Sequence, residues 1–215
     1  VISLRSVTKS YPTKLGRKYV LTNVSIDLPD DRNIAILGRN GAGKSTLLRL
    51  LGGIDYPDTG TINSDRYISW PLGLSSGHPK MTGRENTRFV ARVMGASSLK
   101  AVEHYVVDFA ELGKFFDLPI STYSSGMKAR LNFGLSMAFD FDTYLMDEIT
   151  AVGDPKFKKK AQDALNSKRE KANIIMVSHS AAQLRKMCDY GILLHEGQLT
   201  VYEDIEDAIS RYESL

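Results

Sequence analysis

The sequence predicts an α/β fold built on a mostly parallel sheet, and three observations carry that prediction. Short runs that are apolar almost throughout, Ile34-Ala35-Ile36-Leu37, Thr143-Tyr144-Leu145-Met146 and Asn173-Ile174-Ile175-Met176-Val177, have the length and composition of strands covered on both faces. Stretches of helical patterning separate them, which is how consecutive strands of a parallel sheet are joined. The long stretch from Arg84 to Leu135 is helical with little strand character and interrupts the alternation.

In chain order, Ile2, Leu4 and Val7, and then Val20, Thr22, Val24, Ile26 and Leu28, follow the near period-two spacing of half-buried antiparallel strands. A loop containing Pro and Gly lies between them. The run Ile34 to Leu37 enters a Gly-rich turn, and Ser45 to Leu51 has helical character that ends at Gly52-Gly53. After the last buried strand, Tyr190 to Leu194 and Leu199 to Tyr202 flank His195-Glu196-Gly197-Gln198 as a terminal hairpin. The chain is expected to form one domain over residues 1–215, with a core of roughly 1–83 and 136–215 and an inserted helical subdomain of roughly 84–135. No internal repeat or low-complexity tract divides it.

Composition narrows the function. With 215 residues, 42% hydrophobic and 25% charged, the chain can bury a sizeable core. Its net charge of +3 comes from scattered basic residues, so no nucleic-acid partner is expected. The single cysteine, Cys188, cannot form an internal disulfide, and no Cys/His cluster has metal-ligand spacing. Val1-Ile2-Ser3-Leu4-Arg5 lacks the plan of a signal peptide, and no apolar stretch approaches the ~20 residues that span a bilayer. Any membrane role is expected to be peripheral.

The chemistry is concentrated in Gly38-Arg39-Asn40-Gly41-Ala42-Gly43-Lys44-Ser45, which fits Gly-x-x-x-x-Gly-Lys-Ser between a strand and a helix. Glycine permits positive φ and close backbone approach, so the amides of Asn40 to Ser45 can cradle phosphate oxygens at a helix N-terminus. Lys44 is expected to reach the β- and γ-phosphates of ATP and Ser45 to offer its hydroxyl to Mg²⁺, with Thr46 as a further nucleotide contact. At the end of the next buried strand stand Asp147 and Glu148. Carboxyl ends of strands converge on the ligand crevice of an α/β sheet. Asp147 can therefore hold Mg²⁺ through water, and Glu148 can place or deprotonate the attacking water. An isolated Asp-Glu pair is otherwise an ordinary acidic helix start; the phosphate loop is what gives it this meaning.

These residues resemble the nucleotide-binding subunits of ABC transporters, over nearly the whole chain and in matching order. Tyr123-Ser124-Ser125-Gly126-Met127 is similar to the Leu-Ser-Gly-Gly-Gln signature, departing at its first, third and fifth positions. Asp154 matches the D-loop aspartate, His179 in Val177-Ser178-His179-Ser180 the switch histidine, and Tyr11 the aromatic that stacks on adenine, with Tyr19 as its rival. The glutamine that the family commonly places before the helical subdomain is missing: no Gln precedes Gln162, and the equivalent stretch is Ile68-Ser69-Trp70-Pro71-Leu72-Gly73-Leu74.

The resemblance implies an ATPase in which two cassettes lie head to tail, so that Ser125 and Gly126 contact the nucleotide of the other subunit. It also implies a separate integral membrane permease, for which Trp70 to Asn86 is the expected socket, and attachment to the cytoplasmic face of the inner membrane. The run Lys156-Phe157-Lys158-Lys159-Lys160 is read as a solvated helix face. The stretch from Ile68, Met81-Thr82-Gly83-Arg84-Glu85-Asn86, the signature variant and Asp147 to Asp154 resemble the branch that exports capsular polysaccharide, with periplasmic and outer-membrane partners reached indirectly. Export of another surface glycan, of O-antigen or teichoic acid type, is the alternative, and a non-transport ATPase of the superfamily a more remote one. The sequence ends at Leu215, soon after the hairpin, so choice of glycan is expected to lie with the permease or its partners.

Overall fold

The structure, a computed structural model, describes residues 1–72, 77–147 and 154–215. It divides into two compact units: residues 1–71, 141–148 and 171–215 form the first, and residues 72–140 and 149–170 the second.

The first unit holds two sheets. β1 (Ile2–Thr13), β2 (Gly16–Leu28) and β4 (Thr59–Ser64) form an antiparallel sheet in the order β2-β1-β4. β3 (Ile34–Leu37), β5 (Thr143–Asp147), β6 (Asn173–Val177), β7 (Tyr190–His195) and β8 (Gln198–Tyr202) form the second in the order β5-β6-β3-β7-β8, parallel except for β8. All four residues of β3 are buried, as a central strand covered on both faces requires. α1 (Lys44–Leu51) packs Leu47, Leu48 and Leu51 into one core with Ile2, Leu4, Leu21, Leu28, Leu145, Ile175 and Ile192. The hairpin turns on Glu196 and Gly197, both at positive φ (47° and 77°), the backbone of a two-residue loop whose twist suits the flanking strands. α6 (Ala181–Met187) and α7 (Ile205–Glu213) complete the unit, and α7 approaches β7 so closely that a Cβ on Gly191 would stand 2.2 Å from that of Ala208.

The spacing over the second strand needs one correction. Thr22 is exposed, and Val20 and Leu21 are both buried. The ladder pairs Lys9 with Leu21 but Ser10 with Tyr19, so Val20 is an extra residue that lets its neighbour Leu21 turn inward, and a further shift between Val7 and Lys9 brings Val24 inward again.

The second unit is helical. α2 (Gly83–Val93), α3 (Leu99–Ala110), two short 3₁₀ turns (Gly113–Asp117 and Ile120–Thr122), α4 (Ser125–Met137) and α5 (Pro155–Arg169) enclose Ala91, Val102, Val106, Leu112, Phe116, Ile120, Tyr123, Leu131 and Leu135. The start of α2 is closed by a reciprocal pair, with Thr82 Oγ1 accepting from the Glu85 amide and the Glu85 carboxylate accepting from the Thr82 amide. Phe109 stacks on Phe133 and meets Phe157 edge-on, centroids 5.9 and 5.6 Å apart, which fastens α3 to α4 and α5.

Candidate functional site

Among the described residues, six of the seven α-helices begin with a side-chain cap: Thr82, Ser98, Ser124, Asp154, Ser180 and Asp204 each accept a hydrogen bond from an amide of the first turn. α1 differs. It begins on Gly43, at φ 114°, with no side-chain cap and no acidic residue in its first turn. A side chain at Gly43 would put its Cβ 2.0 Å from Val20 Cγ1, and one at Gly38 would stand 2.5 Å from the Leu194 carbonyl oxygen. The loop is therefore pressed between β2 and β7, and only glycine fits at its two ends. Its amide end is left for a group that brings its own acceptors, and a phosphate is such a group.

Lys44 is buried and folds back over the loop, donating to the Gly38 carbonyl at 2.7 Å and the Arg39 carbonyl at 3.2 Å. The Ala42 amide donates to the Arg39 carbonyl at 3.1 Å and closes the turn. Arg39, Asn40, Gly41 and Ser45 are exposed and Thr46 is buried. The cation thus stands inside the loop while the seryl hydroxyl faces out.

Strand register brings the acidic end to the loop. Asp147 pairs with Val177 and Val177 with Ile36, so the three lie in one row across β5, β6 and β3. Two strand spacings, about 10 Å, separate Asp147 from Ile36, and the phosphate loop starts two residues beyond Ile36. His179, two residues beyond Val177, is exposed at the same sheet end. The loop that carries it is fixed: Ser178 Oγ donates to Gln183 Oε1 at 2.8 Å and accepts from the Ser180 amide at 3.1 Å. Glu148 lies outside the described residues, as do Gly73 and Leu74.

Tyr11 is half-buried on β1, and its hydroxyl donates to Asp55 Oδ2 at 2.7 Å. Tyr19, on the opposite face of the hairpin, is 56% exposed. Lys18, the ladder partner of Tyr11, donates to the Gly41 carbonyl at 2.9 Å and so connects the hairpin to the phosphate loop. Burial opposes the charge on Asp55, but hydrogen bonds from Lys9, Tyr11 and the Tyr56 amide outweigh it and hold its pKa down at about 2. Lys18 and Asp55 are both absent from the sequence reading. Asp55 reaches residues 44 and 46 positions away, and no local pattern announces that.

Ser125, Gly126 and Asp154 belong to the second unit. α4 starts at Ser125, capped by Ser124 Oγ, which accepts from the Met127 amide at 3.2 Å. Among the described residues, a Cβ on Gly126 would meet nothing nearer than Ser124 Oγ at 4.0 Å, so this helix end is open. With Glu111, Leu112, Phe115 and Arg130 it lines a depression of about 390 Å³. Two of the three departures from the signature pattern, at the first and fifth positions, have packing reasons. Tyr123 is buried, with its hydroxyl donating to the Phe115 carbonyl at 2.7 Å, and Met127 packs on the helical core. Asp154 caps α5 by accepting from the Phe157 amide at 3.0 Å and pairs with Arg130 of α4. The Phe157 amide bond lowers its pKa most; burial opposes this, and Arg130 adds a smaller lowering effect. Trp70 is half-buried against Phe141, edge-on at 5.4 Å.

Comparison with known proteins gives the arrangement its family. The profile of the ABC transporter family matches residues 21–151. The chain is 54% identical to a polysialic acid transport ATP-binding protein of Escherichia coli, over 99% of this chain and 98% of that protein. It is 43% identical to a capsule polysaccharide export ATP-binding protein of Neisseria meningitidis serogroup B, over 100% of both. Its fold is similar to that of a dimeric ATP-binding cassette in a post-hydrolysis state bound to ADP and Pi, with a TM-score of 0.74 and 22% identity over 95% of this chain and 99% of that one. An uncapped glycine-bounded loop, an aspartate in register beside it and a match over most of the length lead to one statement: the chain belongs to the ABC transporter family.

Proposed function

We propose that the chain is the ATP-hydrolysing subunit of an exporter of capsular polysaccharide and works with a separate membrane permease. The observation that carries the ATPase reading is the uncapped start of α1, glycine-bounded and lysine-filled, at the sheet end that also bears Asp147 and His179. The two relatives named for polysialic acid transport and capsule polysaccharide export support the choice of cargo.

In this reading Gly38 to Thr46 bind the phosphates of ATP, with Lys44 against the β- and γ-oxygens, and Tyr11 meets the adenine. Ser45, and Asp147 through water, are suited by their oxygen donors to hold Mg²⁺, which supplies neutralisation of phosphate charge. Glu148 positions the attacking water and His179 contacts the γ-phosphate. The subunit works as a homodimer, the helical subdomain of roughly 84–135 presenting Ser125 and Gly126 to the partner's nucleotide, with Asp154 beside them. Among the described residues no helix is long and apolar enough to cross a membrane. In this reading a permease holds the chain at the cytoplasmic face of the inner membrane, as the exporter relatives suggest, and Trp70 to Asn86 is the proposed socket.

Glu148→Gln is the test. The purified variant is expected to bind ATP, to stop hydrolysing it and to sediment as a dimer with ATP, and cells carrying it are expected to lose surface capsule. A variant that still turns over ATP would remove Glu148 from its role, and loss of a different glycan would overturn the cargo.

A further inference from the structure

We propose that Asp55 is the positioning residue of the adenine platform, holding the Tyr11 ring in place through its hydroxyl; the proposal rests on the reading of Tyr11 as that platform. The Tyr11 hydroxyl donates to Asp55 Oδ2 at 2.7 Å, and Arg49 Nη2 stands 3.4 Å from the same hydroxyl. Asp55 is itself fixed. Its Oδ1 accepts from Lys9 Nζ at 2.7 Å and from the Tyr56 amide at 2.8 Å, and its own amide donates to the Arg49 carbonyl at 3.2 Å. Lys9 is 8% exposed, also donates to the Tyr56 carbonyl at 2.7 Å, and stands 5.1 Å from the centroid of the Tyr11 ring. The ring is therefore pinned at its root by β1, at its tip by a carboxylate and beside a buried cation. A tyrosine on a strand otherwise rotates about two side-chain torsions, and a base that stacks on it must stop that motion.

The position of Asp55 in the chain gives the contact its meaning. α1 carries the phosphate loop at its N-terminus, and the chain leaves its C-terminus through Gly52 and Gly53 to reach Asp55. The hairpin is tied to both ends of this helix, by Lys18 to the Gly41 carbonyl and by Tyr11 to Asp55, and Lys18 and Tyr11 face each other in the ladder. The distance between the site for the triphosphate and the ring for the base is thus set by one rigid helix.

Equilibrium binding of ATP and of inorganic tripolyphosphate, which has no base, tests this on the full chain. Asp55→Ala leaves Lys9 buried without its carboxylate and is the variant at risk of unfolding, so Tyr11→Phe, which removes only the hydroxyl, carries the measurement; thermal unfolding checks both. Tyr11→Phe is expected to weaken ATP about three- to tenfold, the cost of ordering one side chain, and to leave tripolyphosphate unchanged. Asp55→Ala in a folded protein is expected to do the same, and the double variant no worse than either. Native ATP affinity in Tyr11→Phe, or equal weakening of both ligands, would overturn the proposal. Tyr11→Ala separates it from the reading beneath: loss of ATP affinity there with a native Tyr11→Phe sinks only the role of Asp55, whereas native affinity in Tyr11→Ala removes the platform itself.

Discussion

Two helix N-termini in this molecule are proposed to meet nucleotide, and they are built differently. α1 begins on a left-handed glycine wedged against Val20 and has no side-chain cap. α4 begins beneath Ser124, capped in the ordinary way, with open space around Gly126. The first end has a fixed shape and incomplete hydrogen bonding, as suits a site that its own ligand completes. The second has a side-chain cap and open space around its glycine, as suits an end that closes on something held by another molecule.

Alanine in place of each glycine is the sharpest way to break this comparison. Gly43→Ala is expected to cost about 2–5 kcal/mol, the sum of left-handed strain and overpacking against Val20, read from urea unfolding. Gly126→Ala is expected to stay within about 1 kcal/mol of the native protein, yet to lose ATPase activity while binding ATP. A stable Gly43→Ala, or an active Gly126→Ala, would erase the distinction. Lys44→Ala comes next. Losing a charged partner for two phosphates is expected to weaken ATP about ten- to a hundredfold; titration showing native affinity would take the lysine out of the site. Ser124→Ala should cost about 1 kcal/mol as a lost cap, a loss with no counterpart at α1, which has no side-chain cap.

A further prediction concerns Asp55, at the proposed base end of the same site. Because the folded pKa of Asp55, at about 2, lies below the ordinary aspartate value of 3.8, its contribution to stability is complete above that value and fades as pH falls towards 2. Acid unfolding of Asp55→Asn should therefore be less steep than that of the native chain between about pH 4 and pH 2. Superimposable acid transitions would refute the assignment.

What could be read from sequence follows from what is local. The phosphate loop was legible because its backbone path tolerates only glycine at fixed spacing, and β3, β5 and β6 because strands covered on both faces are apolar for their whole length. β4 was not: Thr59-Gly60-Thr61-Ile62-Asn63-Ser64 is a largely exposed edge strand with one half-buried aliphatic side chain. The inward turn of Leu21 in place of Thr22 depended on a bulge at Val20 that exists only once Ser10 finds Tyr19. The signature's unusual tyrosine looked like a departure and is a core residue whose hydroxyl found the Phe115 carbonyl. Asp55 reads as an acid in a turn until the fold brings β1 to it.

Lys44 has one further consequence. Its ammonium bridges the Gly38 and Arg39 carbonyls, and in the proposed reading it is the same charge that incoming phosphates claim. Capture of nucleotide in that reading begins with an exchange of partners by this side chain. Association should be a single fast phase proportional to nucleotide concentration, and any slow phase would belong to the meeting of two subunits.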